Sequence, residues 1–393
     1  MHFYSVSEFY KKIFGCKAYK LAIDAGCTCP TRDGTKGTGG CTFCSASGSG
    51  DFASSRKLSI TEQIEDAKHL VGSKCPGGDG AQTGVSCVSD CRNASCGSVS
   101  GDCSAACLSG GSSSCGKTAH GGTYIAYFQN FTNTYGDPDA LEAKYLEACS
   151  APNVSGIAIA TRPDCLSDDI LRRIARIADA GNEPDPTTKT SSENVSATTP
   201  TAQKPAENTT KTSAGNVSCT TVEKKFVQLE LGFQTADEVS AASFRRGFTN
   251  DVYVDAVRRI KAASPRIHVV THVILGLPGE TLDTMLSTSR FCARAGTDGI
   301  KLSLLHVLRG TDMALDYERG LFSCMEKDEY FRVLSAVLES LPPEMVIHRL
   351  TGDGAKRLLI APLWTADKKR VWNDMMRWFA DHDVQQGRAY KAE

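Results

Sequence analysis

Residues 18–44 read A-Y-K-L-A-I-D-A-G-C-T-C-P-T-R-D-G-T-K-G-T-G-G-C-T-F-C. The first seven, from Ala18 to Asp24, make a candidate strand, and a glycine-rich loop with Cys27, Cys29, Cys41 and Cys44 follows it. Glycines let a backbone turn tightly and aim its N–H groups at anionic sulfur, so cysteines at C-x2-C spacing on such a loop can wrap a metal centre. Two centres compete. Four thiolates, with Cys27 included, would hold a tetrahedral zinc; three, from Cys29, Cys41 and Cys44, would hold a [4Fe-4S] cluster with one iron open to an exchangeable ligand. Thiols without a metal are the third reading. Position favours the cluster, because a zinc ribbon sets each cysteine pair on its own hairpin, whereas one loop at the C-terminal end of a strand is where reactive centres are built.

Working outward, β-branched and aliphatic runs alternate with amphipathic stretches. Candidate strands are 18–24, 124–129, 156–161, 226–232, 267–275 and 299–305, and candidate helices are 59–71, 139–149, 167–180, 236–262 and 281–295. Ser59 and Glu62 stand at capping-box spacing. Strand then helix, six times, predicts a parallel α/β sheet with right-handed crossovers. A partial (βα)6 TIM-like barrel is the natural closure, although an open doubly wound sheet has the same string of elements.

Two stretches do not belong to that pattern. Gly, Ser and Cys fill 29 of the 50 positions in 72–121, which hold seven of the chain's 17 cysteines and only Val85, Val88, Val99 and Leu108 as large aliphatics. Thr, Ser, Asn and Pro fill 24 of the 42 positions in 182–223. So little apolar surface cannot offset the entropy of ordering such segments, and both are expected to be disordered insertions. Each follows a helix and precedes a strand, which puts it at the N-terminal face of the sheet, away from a catalytic rim. The remainder, about 300 residues, suits one core barrel over 1–320 and an α-rich C-terminal extension over 321–393.

Composition narrows the function classes. Forty-four basic residues against 45 acidic ones offer no evidence for a broadly nucleic-acid-binding or membrane-binding surface, and leave room for a local basic patch. No apolar run reaches the roughly 18 residues of a membrane span. The first 15 residues, M-H-F-Y-S-V-S-E-F-Y-K-K-I-F-G, have no apolar h-region, so a soluble cytoplasmic protein with reduced cysteines is expected, an organellar form remaining open.

The segment D-A-G-C-T-C-P-T-R-D-G-T-K-G-T-G-G-C-T-F-C resembles the cluster loop of the YhcC/YtqA-like radical S-adenosylmethionine proteins. The likeness continues through Y-F-Q-N-F-T-N-T-Y from Tyr127, T-R-P-D-C-L from Thr161, E-L-G-F-Q-T from Glu230, I-L-G-L-P-G-E from Ile274, L-L-H-V-L-R-G-T from Leu304 and I-H-R-L-T-G-D from Ile347. The C-x11-C-x2-C spacing departs from the C-x3-C-x2-C of most radical S-adenosylmethionine enzymes and is similar to the longer loops of the elongator catalytic subunit. Cys27 falls where the relatives carry an aromatic, and so stays outside the implied ligand set.

That resemblance implies an enzyme in which Cys29, Cys41 and Cys44 hold a [4Fe-4S] cluster. The open iron chelates S-adenosylmethionine, reductive cleavage makes a 5′-deoxyadenosyl radical, and the radical takes hydrogen from a substrate. Phe43 is the implied aromatic against the adenine. Gln129 replaces the usual glycine-rich segment at the methionyl amine. Arg162, Glu230 and Gln234 are implied at the carboxylate and ribose hydroxyls, and Gly276 with Leu277 along the adenine edge. An external flavodoxin- or ferredoxin-like protein is the implied electron donor.

Relatives with this loop modify tRNA, which makes tRNA, at a wobble uridine, the leading substrate. Lys356, Arg357, Lys368, Lys369 and Arg370 are the candidate patch for its backbone. A small metabolite as substrate and a non-catalytic zinc scaffold are the alternatives. His272 and His306 read equally as core histidines or substrate contacts. His348, Arg349 and Asp353 read as a buried ion-pair cluster or a substrate site, and Trp364, Trp372, Met376 and Trp378 as helix packing.

Overall fold

Sheet order follows chain order. The computed structural model describes residues 2–48, 53–72, 122–180, 224–352 and 354–392. In it β1 (Lys17–Ile23), β2 (Gly122–Phe128), β3 (Val154–Thr161), β4 (Phe226–Gln234), β5 (His268–Leu275) and β6 (Gly299–Leu304) pair in parallel, each with the next. After a short strand β7 (Val307–Leu308), β8 (Val346–Arg349) adds a seventh parallel strand beside β6, and β7 pairs separately with β9 (Leu359–Ala361).

Helix α1 (Val6–Phe14) opens the chain. The crossovers carry α2 (Ile60–Gly72), α3 (Pro138–Ser150), α4 (Asp168–Asp179), the pair α5 (Glu238–Ser243) and α6 (Asn250–Ala263), and α7 (Leu282–Arg294). Then α8 (Asp312–Glu318) and α9 (Lys327–Ser340) precede β8, and α10 (Lys368–Asp381) comes last. All six expected strands, and four of the five expected helices, lie within two residues of these bounds. Ser59 and Glu62 do form the capping box, with Ser59 N donating to Glu62 Oε2 at 2.7 Å and Glu62 N to Ser59 Oγ at 3.2 Å.

Period-two alternation sorts each strand into two faces. Leu21, Ile23, Phe128, Ile157, Ile159, Leu229 and Leu231 join the large core beneath the helices. The opposite face carries Lys20, Tyr127, Ala158, Ala160, Glu230, His272 and Lys301. On a flat sheet β1 and β4 stand about 14 Å apart. Yet Lys20 Nζ lies 2.7 Å from Glu230 Oε1, so the sheet curls into a partial barrel with this face inside. Small side chains at Ala158 and Ala160 of β3, between them, leave the room that the longer side chains cross.

Helix α1, held by a Ser5/Glu8 capping box, packs at the N-terminal end of the barrel. Phe9 stacks on His268 with ring centroids 4.3 Å apart, Tyr10 donates to Gln228 Oε1 at 3.0 Å, and Ser5 bridges to Ile347 beside β8. No sequence signal had marked this plug.

Two expectations change. The single helix expected over 236–262 is interrupted between α5 and α6, because Arg245 and Gly247 take left-handed backbone at φ 62° and 76°. The segment beyond residue 320, expected as an α-rich extension, also supplies β8 to the sheet. Residues 73–121 and 181–223, on which the expectation of disorder falls, lie outside the described residues. The chain enters the first from α2 and leaves it into β2, and enters the second after α4 and leaves it into β4. Both junctions with the strands are at the N-terminal edge of the sheet.

Candidate active site

The loop after β1 folds over the C-terminal end of the barrel. Asp24 anchors its start, accepting from Gly26 N at 2.7 Å and from Asn130 Nδ2 at 2.6 Å. Gly40, at φ 77°, is required by close approach: a Cβ there would stand 2.7 Å from Arg32 Nε. Arg32 in turn donates to Ser45 O at 2.7 Å and braces the loop across the cysteines.

Cys29, Cys41 and Cys44 line one cavity of about 300 Å³, together with Phe43, Gln129, Arg162, Glu230 and Gln234. Cys27, two residues from Cys29, does not line it; it packs against the main core, and burial pushes its thiol up to about 11. Cys29 Sγ is 2.9 Å from Thr132 Oγ1. Cys41 and Cys44 share a side-chain hydrogen bond that, with the field of Arg162, Arg32 and Arg245 behind it, lowers Cys41 to about 7 against the opposing effect of burial. The same bond, added to burial, pushes Cys44 up. Of these thiols Cys41 is the one whose ionisation the site eases, and three arginines offset negative charge beside it.

This donor set fits a cluster better than a single ion. Among the described residues no three His, Cys, Asp or Glu side chains converge on one point as a mononuclear site needs. A cluster instead spreads its thiolates over separate irons.

The other expected contacts divide. Phe43 meets Phe244 edge to face, centroids 5.2 Å apart, and forms an apolar wall with Leu277 and Leu305 behind it. Gly276 and Leu277 are not in the cavity lining. Arg162 is clamped by Asp164 through two 2.9 Å bonds, donates to Arg246 O at 2.7 Å and lies over the Phe248 ring. Gln234 ends β4 with φ 69°, which turns the chain at the rim.

Glu230 departs from the strand-end contact that the sequence implied. Fully buried in mid-strand, it accepts from Lys20, from Gln228 Nε2 at 2.5 Å, from Tyr127 Oη at 2.6 Å and from Lys301, with His272 Nε2 at 2.9 Å. Burial alone would raise its pKa, but Lys20 and Lys301 outweigh burial and hold it well below the usual carboxylate range. Burial also lowers Lys301 to about 7 and His272 to about 4.

Lys20 and Lys301, which hold Glu230 from outside the cavity lining, are not marked by the sequence reading, although Lys301 is a lone lysine in an otherwise apolar strand. Of the histidines left open, His272 and His306 line the cavity, whereas His348 is half-buried outside its lining, with its Nε2 3.0 Å from His268 Nε2. Arg349 lines the cavity, and Asp353 lies outside the described residues. Met376, Trp364 and Trp378 pack against the main core as expected, whereas Trp372 is exposed. No helix among the described residues is long and apolar enough to cross a membrane.

The Radical_SAM C-terminal domain family matches residues 297–379. YtqA of Bacillus subtilis (strain 168) is 30% identical over 99% of the chain and 93% of its own length. YhcC of Escherichia coli (strain K12) is 27% identical over 95% of the chain and 90% of its own length. A tRNA-2-methylthio-N(6)-dimethylallyladenosine synthase of Dehalococcoides mccartyi (strain ATCC BAA-2100 / JCM 16839 / KCTC 5957 / BAV1) is 37% identical over 19% of the chain and 18% of its own length. Among solved structures, the archaeal Methanocaldococcus infernus Elp3 superposes with a TM-score of 0.48 at 13% identity, covering 67% of this chain and 55% of that one.

Proposed function

We propose that this chain, which belongs to the YhcC/YtqA-like family of radical S-adenosylmethionine enzymes, takes hydrogen from a nucleoside of tRNA, with a wobble uridine as the target. Like its family, it uses a [4Fe-4S] cluster and S-adenosylmethionine. The observation that carries the site assignment is the convergence of Cys29, Cys41 and Cys44 on one cavity from which Cys27 is excluded. These three would hold the cluster. Bound together, cluster and cofactor supply a one-electron cleavage that delivers a 5′-deoxyadenosyl radical.

The chain's own part is to bind, orient and shield. Phe43 and Phe244 offer an apolar wall for an adenine, and Arg162, immobilised by Asp164, offers a fixed cation beside the cysteines. The curled sheet and the cysteine loop flank the reacting centre and reduce its contact with bulk water. The electron comes from an external flavodoxin- or ferredoxin-like donor. Support for tRNA comes from the local likeness to a tRNA-modifying synthase and from the placement of basic residues. Gly352 and Gly354 line the cavity, and the exposed Lys356 and Arg357 follow directly. Lys368, Lys369 and Arg370, also exposed, open α10.

The test is formation of 5′-deoxyadenosine by anaerobically reconstituted enzyme with and without unmodified or partly modified tRNA. Stimulation by tRNA is expected. Stimulation by a small molecule, with no tRNA binding even at low salt, would replace tRNA with a metabolite.

A further inference from the structure

Glu230, His272 and Arg349 form a floor to the cavity, and two lysines that are not in its lining bond to Glu230 from behind. Lys20 from β1 and Lys301 from β6 both point at Glu230, two ammonium groups on one carboxylate. Glu230 is the only acidic side chain in the cavity lining among the described residues. Arg349, the last residue of β8, adds a third cation. It lines the cavity with Glu230 and His272 and is partly buried. Its guanidinium makes no hydrogen bond or ion pair among the described residues. The half-buried guanidinium thus faces the cavity with no counter-ion of its own among the described residues, an arrangement that suits an anion arriving with the substrate.

We propose that this floor is the recognition site for a single carboxylate carried by the substrate, received by the Arg349 guanidinium with His272 beside it. The proposal rests on the reading of the cavity as the reaction chamber, and it names the chemistry of the group that reaches inside. One cation with no ion-pair partner among the described residues matches one negative charge, and the planar fork of arginine matches a carboxylate through two parallel hydrogen bonds. A phosphate dianion would require the lysines to give up Glu230.

The carboxylate of S-adenosylmethionine is a different group, which Arg162 beside the cysteines would meet. The field at Cys41 comes from Arg162, Arg32 and Arg245. Arg349 instead acts on Tyr127, His272 and Lys301 at the floor.

The experiment uses cluster-reconstituted protein and two uniform probes, propionate and propionamide, nearly isosteric and differing in charge, at constant ionic strength in chloride. Saturation-transfer NMR detects millimolar binding. Propionate is expected to bind and propionamide not. Arg349→Gln should weaken propionate at least tenfold and leave S-adenosylmethionine affinity unchanged, while Arg349→Lys should keep the preference for acid over amide. Without a ligand, Arg349→Gln should unfold at the same or a higher temperature than the parent, since it removes a cation with no ion pair among the described residues. Equal signals from acid and amide, no propionate signal, an unaltered signal in Arg349→Gln, or a fall in its Tm would each overturn the proposal. Tighter binding of inorganic phosphate than of propionate would overturn the carboxylate assignment. If tRNA fails to stimulate turnover while the acid preference persists, the tRNA reading falls alone; the converse result rejects only the carboxylate floor.

Discussion

Lys20 on β1 and Glu230 on β4 meet at 2.7 Å although β2 and β3 lie between their strands. That contact ties the first strand to the middle of the sheet, and Lys301 on β6 closes on the same carboxylate from the other side. Glu230 is thus the point through which the barrel's curvature is held, and removing its charge strands two lysines. Glu230→Gln should lose about 3–5 kcal/mol, the range seen when one partner of a buried ion pair is deleted. Urea unfolding measures this, and a loss below about 1 kcal/mol would show that the two lysines find other relief.

Substitution of Cys29, Cys41 or Cys44 by Ala should abolish cluster assembly. Cys27→Ala should not, because Cys27 packs outside the cavity. Iron and labile-sulfide content after anaerobic reconstitution, with the thiolate-to-iron absorption band, reads the outcome. Equal loss in all four variants would return Cys27 to the ligand set.

Stability should depend on pH through Glu280. Its Oε2 is buried with no hydrogen-bond partner, and Thr235 donates to Oε1. Burial raises its pKa to about 7, with Asp237 adding to the shift and the Thr235 bond opposing it. The folded state therefore holds a proton that the unfolded chain releases near 4.5. Its stabilising contribution is complete below that value and is lost as pH rises through about 7. Glu280→Gln, which mimics the protonated form, should remove this fall and exceed the parent's stability at pH 8, by on the order of 1–3 kcal/mol. Denaturant curves at pH 5 and pH 8 check it; parallel pH profiles for variant and parent would refute it.

Deleting residues 75–119 and 184–221 should leave cluster content and uncoupled cleavage of S-adenosylmethionine nearly unchanged. Both segments rejoin the sheet at the starts of β2 and β4, at the opposite end from the cysteine loop. Loss of cofactor binding in the shortened protein would assign the cysteine-rich segment a role at the site.

Charge reversal at Lys368, Lys369 and Arg370 should weaken tRNA binding roughly tenfold or more near 0.1 M salt and flatten its salt dependence. Uncoupled cleavage of S-adenosylmethionine should persist, since these side chains are exposed on α10, outside the cavity lining. Salt-sensitive binding that ignores the reversals would move the patch elsewhere.

The strands and most helices were legible in the sequence because their signals are local. An aliphatic run such as G-I-A-I-A-T commits its own backbone to a strand, and Ser59 and Glu62 cap their helix three residues apart. The cysteine loop was legible for the same reason, since C-x11-C-x2-C is a spacing within one segment. What only the tertiary structure decided is which groups meet. Ala158 and Ala160 permit Lys20 to reach Glu230, the left-handed turn at Arg245 and Gly247 splits one expected helix into two, and the position of Cys27 in the core rather than the cavity separates three ligands from four. Pairing across strands depends on register and curvature, which arise when distant segments pack together. No window of sequence contains them, so a glutamate that read as a rim contact is, in the fold, the buried centre of the barrel's charge network.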